Sequence, residues 1–181
     1  MRVIAGAFKG KKLTLPDSQI TRPTADKAKE ALFNLLDNHL AEREKTWADI
    51  SFLDGFAGSG AIGIEALSRG CQNVFFTEKS SKIFKILVQN LPVKARCWNI
   101  DVLNIGKAKN PVDIIFLDAP YHQGLIVPAL EVLYRRKWIG PESLVITETE
   151  AHEEVAVPFL QMTDRRTYGR ACFSFFTLNT L

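Results

Sequence analysis

Apolar positions recur along this chain with two different periods, and the change of period divides it. Residues 24–40 carry Ala28, Ala31, Leu32, Leu35, Leu36 and Leu40 at helical spacing. That predicts one amphipathic helix, capped by Thr24, with Lys27 and Lys29 off the apolar face. From about residue 50, short apolar runs alternate with helical patterns. Runs at 50–54, 74–77, 95–99, 112–117 and 144–147 predict strands. Segments 61–69, 79–91 and 125–133 predict the helices between them, the first stopped by Gly70 and the second near Pro92. Runs at 155–159 and 171–178 predict two closing strands with no helix between them and Gly169 in the turn region. Residues 1–20, punctuated by Gly6 and Gly10, predict a short hairpin or extended arm.

Alternation of this kind predicts an α/β, Rossmann-like sheet. It should be mostly parallel, with helices on both faces and an antiparallel C-terminal edge hairpin. With 181 residues the expectation is a single domain over 1–181, comprising a basic arm at 1–22, the helix at 24–40 and the sheet. Ligands of such sheets bind beyond the carboxyl ends of the strands, where strand order reverses. The loops after the first four strands are therefore the places to search.

Composition narrows the class. Hydrophobic residues make up 46% and charged residues 24%, the balance of a globular protein. No apolar run reaches membrane-spanning length, and the N-terminus lacks the apolar core of a signal peptide, so a cytoplasmic protein is expected. Cys71, Cys97 and Cys172 are few and scattered, which predicts reduced thiols and neither a zinc site nor a disulfide framework. The net charge of +3 is uneven: residues 1–30 hold seven Lys and Arg against three Asp and Glu. A basic end on a near-neutral body fits a polyanion or a solvated lysine-rich turn.

The loop after the first strand reads Asp54-Gly55-Phe56-Ala57-Gly58-Ser59-Gly60-Ala61-Ile62-Gly63. Read literally it contains G-x-G-x-x-G, and Glu78 follows Gly58 by 20 residues at the end of the second strand. That is where an acid would bind ribose hydroxyls, so NAD competes. Asp54 argues against it. A carboxylate beside a pyrophosphate costs about 1 kcal/mol or more at ~4 Å, whereas S-adenosylmethionine has no phosphate and a net positive charge. Asp54, Gly55, Phe56, Gly58, Ser59, Gly60 and Asp118 would line such a donor, Glu78 its ribose, and Asp101, after the third strand, its adenine amino group.

After the fourth strand comes Asp118-Ala119-Pro120-Tyr121. An exocyclic base amine is a poor nucleophile because its lone pair is delocalised into the ring. Two acceptors aimed at its hydrogens, the Asp118 carboxylate and the Ala119 carbonyl, would favour a tetrahedral nitrogen and stabilise the charge that develops there. Pro120 stiffens the turn. Tyr121 can stack on a base that is single-stranded or flipped out. The bland alternative is a turn that ends a buried strand.

These motifs, in this order, resemble those of class I methyltransferases, and the tetrapeptide resembles the [N/D/S]-P-P-[Y/F] of the amino-methylating group. More narrowly, Arg22-Pro23-Thr24-Ala25-Asp26-Lys27-Ala28-Lys29-Glu30-Ala31-Leu32-Phe33-Asn34 is similar to the R-P-T-x-D-R-V-R-E-x-L-F-N signature of the RsmD family. Phe56-Ala57-Gly58-Ser59-Gly60, Glu65-Ala66-Leu67-Ser68-Arg69-Gly70, Tyr168-Gly169 and the opening Arg2-Val3-Ile4-Ala5-Gly6 extend the likeness over essentially the whole chain. The resemblance implies an enzyme that transfers methyl from S-adenosylmethionine to guanine N2 of 16S ribosomal RNA within the small subunit; a monomer without metal or membrane is expected. Lys9, Lys11, Lys12, Arg22, Thr24 and Lys27 would contact RNA. The chain departs from the family pattern in three respects. Ala119 replaces a proline, which preserves the backbone carbonyl but loosens the turn. Lys27 and Lys29 replace arginines, keeping charge but not bidentate geometry. Glu78 is followed by Lys79-Ser80-Ser81 rather than by an acid or amide two residues on. The alternatives are an amino methyltransferase for DNA adenine or protein glutamine, an NAD oxidoreductase, and a non-catalytic RNA-binding assembly factor.

Overall fold

The computed structural model describes residues 1–16 and 23–179, with backbone alone at 23–25. Among these residues seven strands form one sheet: β1 (Ser51–Asp54), β2 (Asn73–Thr77), β3 (Arg96–Trp98), β4 (Ile114–Leu117), β5 (Leu144–Glu150), β6 (Leu160–Tyr168) and β7 (Ala171–Leu178). Their order is β3-β2-β1-β4-β5-β7-β6. The first five are parallel, while β7 runs antiparallel to both β5 and β6. The order reverses at β1, which lies between β2 and β4, so the crevice opens above β1 and β4. Asp54 is level with Phe76 on β2 and with Phe116 on β4, and Leu117 is level with Thr147 on β5. β4 is buried throughout, as a strand covered on both faces must be.

Helices α1 (Pro23–Ala41), α2 (Ala61–Ser68), α3 (Ser81–Asn90) and α4 (Ile126–Arg135) cover the sheet unevenly. Leu32, Phe33 and Leu36 of α1, Ile64 of α2 and Leu87 of α3 share a core with Phe52, Phe76, Phe116 and Ile146. On the other face α4 supplies Ala129, Leu130 and Leu133 against Leu53, Ile115, Leu117 and Val145, and irregular segments cover the remainder. Helices thus lie on both faces, three against one. Among the described residues no helix is long and apolar enough to cross a membrane.

Three expectations are corrected. Helix α1 starts at Pro23, a residue whose missing N–H costs nothing at a first helical position, so Thr24 lies inside the helix and does not cap it. Lys29 does not fall off the apolar face. It is 3% exposed, and its Nζ donates to the Arg2 carbonyl at 2.7 Å and lies 3.4 Å from Glu65 Oε2. Burial pushes its ammonium below the ordinary value while Glu65 pulls the other way. Residues 155–159 form no strand: Val155 and Val157 enter the core from irregular backbone, and the sixth strand is Leu160–Tyr168. That strand is an edge held by the β7 ladder, with a mostly exposed or half-buried run of Gln161, Thr163, Asp164, Arg165 and Arg166, so no apolar alternation marks it.

The N-terminal residues form a small hairpin docked on α2, not a free arm. Val3 and Gly10 pair through Val3 N–H to the Lys11 carbonyl and Gly10 N–H to the Val3 carbonyl, both at 2.9 Å. Glu65 accepts from Ile4 N–H at 2.8 Å and from Ala5 N–H at 3.0 Å. Ser68 Oγ accepts from Phe8 N–H and donates to the Ala5 carbonyl. Gly6 is required here: its φ is +80°, and a Cβ would sit 1.8 Å from the Ser68 carbonyl oxygen. One short helix therefore carries the glycine loop at its start and the basic hairpin at its end.

Candidate active site

The strand tips gather the acids that the sequence singled out. Asp54 ends β1 with 2% exposure, and its Oδ2 accepts from Gly63 N–H at 2.9 Å, which ties the strand to the first turn of α2. Burial raises its carboxyl to about 7, and the nearby charges of Asp118 and Glu78 push the same way against that hydrogen bond. The loop is pinned from beneath. Gly55 N–H donates to the Phe116 carbonyl, Ala57 N–H to the Thr77 carbonyl, and Thr77 Oγ1 to the Gly55 carbonyl at 2.7 Å. Gly60 turns the chain into α2 at φ +84°, where a Cβ would lie 2.5 Å from Leu87 Cδ1.

Glu78 follows β2 and is half-buried. Its Oε2 accepts from Gly58 N–H at 3.0 Å and its Oε1 from Ser80 N–H at 2.7 Å, so it is clamped against the glycine loop with lone pairs to spare. Ser80 also caps α3. Asp101 follows β3. Its Oδ1 accepts from Leu103 N–H at 3.0 Å, and its Oδ2 lies 2.9 Å from Lys79 Nζ. Burial lifts its carboxyl, but Lys79 and the Leu103 N–H outweigh that and hold it below the ordinary value. Lys79, which directly follows Glu78, is thus the partner of Asp101.

After β4, Asp118 lies open to solvent at the crevice while Ala119 is 5% exposed. Protein crowds Asp118 on its remaining sides, and the lost hydration raises its carboxyl to about 7. Pro120 is exposed, and the Tyr121 ring is 36% exposed at the crevice rim. The Tyr121 hydroxyl reaches 3.5 Å from Glu148 Oε1, a long contact. Beyond Tyr121, His122 takes a left-handed backbone conformation at φ +62°, and Glu150 lies 3.5 Å from His122 Nε2, 3.6 Å from His152 Nε2 and 3.5 Å from Arg170 Nη2.

The cations expected to meet RNA lie on the hairpin and on the first turns of α1. Lys9, Lys12 and Lys27 are exposed and Lys11 is half-buried. Arg2, Lys9 and Lys27 share a cleft of about 310 Å³ with Asp26 and Glu30. Arg22 and the Thr24 side chain lie outside the described residues.

Sequence reasoning missed two polar residues. Glu148 stands on β5 beside the tip of β4, and an acid ending an apolar strand is the signal that had marked Asp54 and Asp118. Asn90, 3% exposed, donates from Nδ2 to the Thr14 carbonyl at 2.8 Å and to the Ser59 carbonyl at 2.9 Å, and accepts from Thr14 N–H at 2.9 Å. It links the end of the hairpin segment to the glycine loop. No sequence signal marks it, because its partners lie 76 and 31 residues away.

Known proteins share this arrangement. A profile of the family described as Conserved hypothetical protein 95 matches residues 1–177. Ribosomal RNA small subunit methyltransferase D of Haemophilus influenzae is 36% identical over 167 residues, 87% of this chain and 83% of that one. Its Escherichia coli K12 namesake is 34% identical over 155 residues, 83% and 75% of the two chains. The solved structure of yhhF from Escherichia coli superposes with a TM-score of 0.83 at 30% identity, covering 98% of this chain and 97% of that one. Sheet order, glycine loop and acid-tipped strands define a Rossmann-like methyltransferase. The chain belongs to the ribosomal RNA small subunit methyltransferase D family, which the sequence resemblance had indicated.

Proposed function

We propose that this chain transfers a methyl group from S-adenosylmethionine to the exocyclic N2 of a guanine in 16S ribosomal RNA. In this reading it acts as a monomer on the small subunit in the cytoplasm. The observation that carries the reading is the uncompensated negative charge around the glycine loop. Asp54 and Asp118 are both raised to about 7, and the charged groups that shift Asp54 are other acids. A ligand with net positive charge relieves that repulsion, whereas a pyrophosphate worsens it. Asp54, Gly55, Phe56, Gly58, Ser59 and Gly60 would hold the amino-acid end, Glu78 the ribose hydroxyls and Asp101 the adenine amino group. The donor supplies an electrophilic methyl carbon whose bond to sulfur breaks as the bond to nitrogen forms.

The chain's own residues prepare the acceptor. Asp118 and the Ala119 carbonyl accept hydrogen bonds from the two N2 hydrogens and draw the lone pair out of the ring, and Asp118 takes up the one proton that leaves as the N–C bond forms. Tyr121, at the rim, stacks on the flipped base, a contact worth ~1–3 kcal/mol in nucleic-acid sites. Ala119 leaves the turn less stiff than a proline would, which bears on rate. Lys9, Lys11, Lys12, Arg22, Thr24 and Lys27 contact the RNA backbone and set its register.

The test is mass-spectrometric mapping of N2-methylguanine in small-subunit RNA from cells with and without the protein, followed by reconstitution with purified wild type and Asp118→Ala. One guanine loses its methyl group in the deleted strain, wild type restores it, and the variant does not. A chain that binds NAD more tightly than S-adenosylhomocysteine, or that methylates DNA or protein in preference to the subunit, overturns the reading.

A further inference from the structure

We infer that Glu148 selects guanine, its carboxylate accepting a hydrogen bond from N1–H of the target base. This rests on the reading of the site as a guanine-N2 methyltransferase and goes beyond it. Three placements support it. The last β4–β5 pair is Leu117 with Thr147, so the next residues, Asp118 just past the tip of β4 and Glu148 within β5, lie side by side. Glu148 is half-buried within 3.5 Å of the Tyr121 hydroxyl, the residue assigned to stack on the base. The donor-binding roles fall to Asp54, Glu78 and Asp101 on β1 and after β2 and β3, which leaves Glu148 on the acceptor side of Asp118.

The charge balance points the same way. Lost hydration and the neighbouring Asp118 raise the Glu148 carboxyl well above its ordinary value. A half-buried acid set beside a like charge is costly to the empty protein, which is a hallmark of a functional group and not of a packing one. Hydrogen-bond donors arriving with a ligand favour its charged form and offset that cost.

Guanine supplies a matching set of donors. Its Watson–Crick edge presents N1–H beside the N2 amine, three hydrogens in all. The site presents three acceptors: Asp118 and the Ala119 carbonyl for the amine, and Glu148 for N1–H. An ionised carboxylate only accepts. Adenine and 2-aminopurine place a lone pair at N1, which Glu148 repels. A site built around such a bond discriminates strongly against a base that cannot make it.

The experiment uses small-subunit RNA ligated with guanine or 2-aminopurine at the mapped position, assembled into particles and methylated by wild type, Glu148→Gln or Glu148→Ala. Calorimetric binding of S-adenosylhomocysteine confirms that each variant is folded with its donor site intact. Wild type should favour guanine over 2-aminopurine in kcat/KM. In Glu148→Gln, whose amide can donate to N1, that preference should fall by roughly 10- to 100-fold, the range of one good base contact. Comparing preferences cancels the intrinsic reactivity of the two amines, and a merely structural role would lower both substrates alike. A preference unchanged within about threefold in both variants overturns the role of Glu148 and leaves the parent reading standing. A wild type that forms no N2-methylguanine overturns the parent reading and this role with it.

Discussion

Replacing Asp54 with Asn separates the electrostatic cost of the empty site from its packing. Asn has the same shape, and its Oδ1 can still accept from Gly63 N–H, so the loop keeps its anchor. The charge is what disappears. In the folded, ligand-free chain the Asp54 carboxyl is raised from 3.8 to about 7, whereas in the unfolded chain it ionises at its ordinary value. Between those values the folded state binds more protons, so stability falls as pH rises through the window. A rise of that size corresponds to about 4 kcal/mol, of which about 3 kcal/mol is incurred between about pH 5 and pH 8. For a chain of this size that is a loss of about 6–12 °C in Tm for wild type relative to Asp54→Asn over the same interval. Scanning calorimetry of the two proteins across that range measures it. The donor reverses the ranking. Binding of S-adenosylmethionine near pH 7 should release protons, seen as heats that depend on the buffer's ionisation enthalpy, and Asp54→Asn should bind it at least about tenfold more weakly. Parallel Tm curves, or equal donor affinity at about pH 8, would refute the argument.

The buried polar links and the basic hairpin yield three further expected outcomes. Lys29→Met strands Glu65 with one fewer cation in a buried site and should cost about 3 kcal/mol in urea unfolding, while adding no salt dependence to RNA binding. Asn90→Ala leaves the Ser59 carbonyl and both Thr14 backbone groups without their partner; it should lower stability by about 2 kcal/mol and weaken S-adenosylhomocysteine binding measured by calorimetry. Removing Lys9, Lys12 or Lys27 singly should weaken binding to small-subunit RNA and reduce the slope of log affinity against log salt by about 1 for each phosphate that is no longer neutralised; an unchanged slope would place RNA elsewhere.

The sequence was most legible where one physical demand acted alone. β1, β2 and β4 are short apolar runs between turn signals because they are central, parallel and covered on both faces. The acids Asp54, Glu78, Asp101 and Asp118 were readable as candidates because each ends or follows a parallel strand, on the side of such a sheet where ligands bind. β6 was not, since an edge strand needs only one buried face and takes its partners from β7. Lys29 read as a surface cation because an α-helix presents every third or fourth residue to its neighbour whatever its type, and only the position of Glu65 on α2 reveals that the neighbour is an acid. Glu148 lay just past a predicted strand that ended at Thr147, three residues short of the observed end at Glu150. A frame that ended at Thr147 left the acid outside the crevice.

The docking of the hairpin also bears on how the chain is made. Its anchors on Glu65 lie 61 and 60 residues further along the sequence. During synthesis residues 1–13 therefore emerge without a surface to rest on, and their lysines stay unconstrained until α2 has left the exit tunnel. The hairpin can therefore dock once α2 is in place, and its anchors on Glu65 and Ser68 do not wait for the strands that follow.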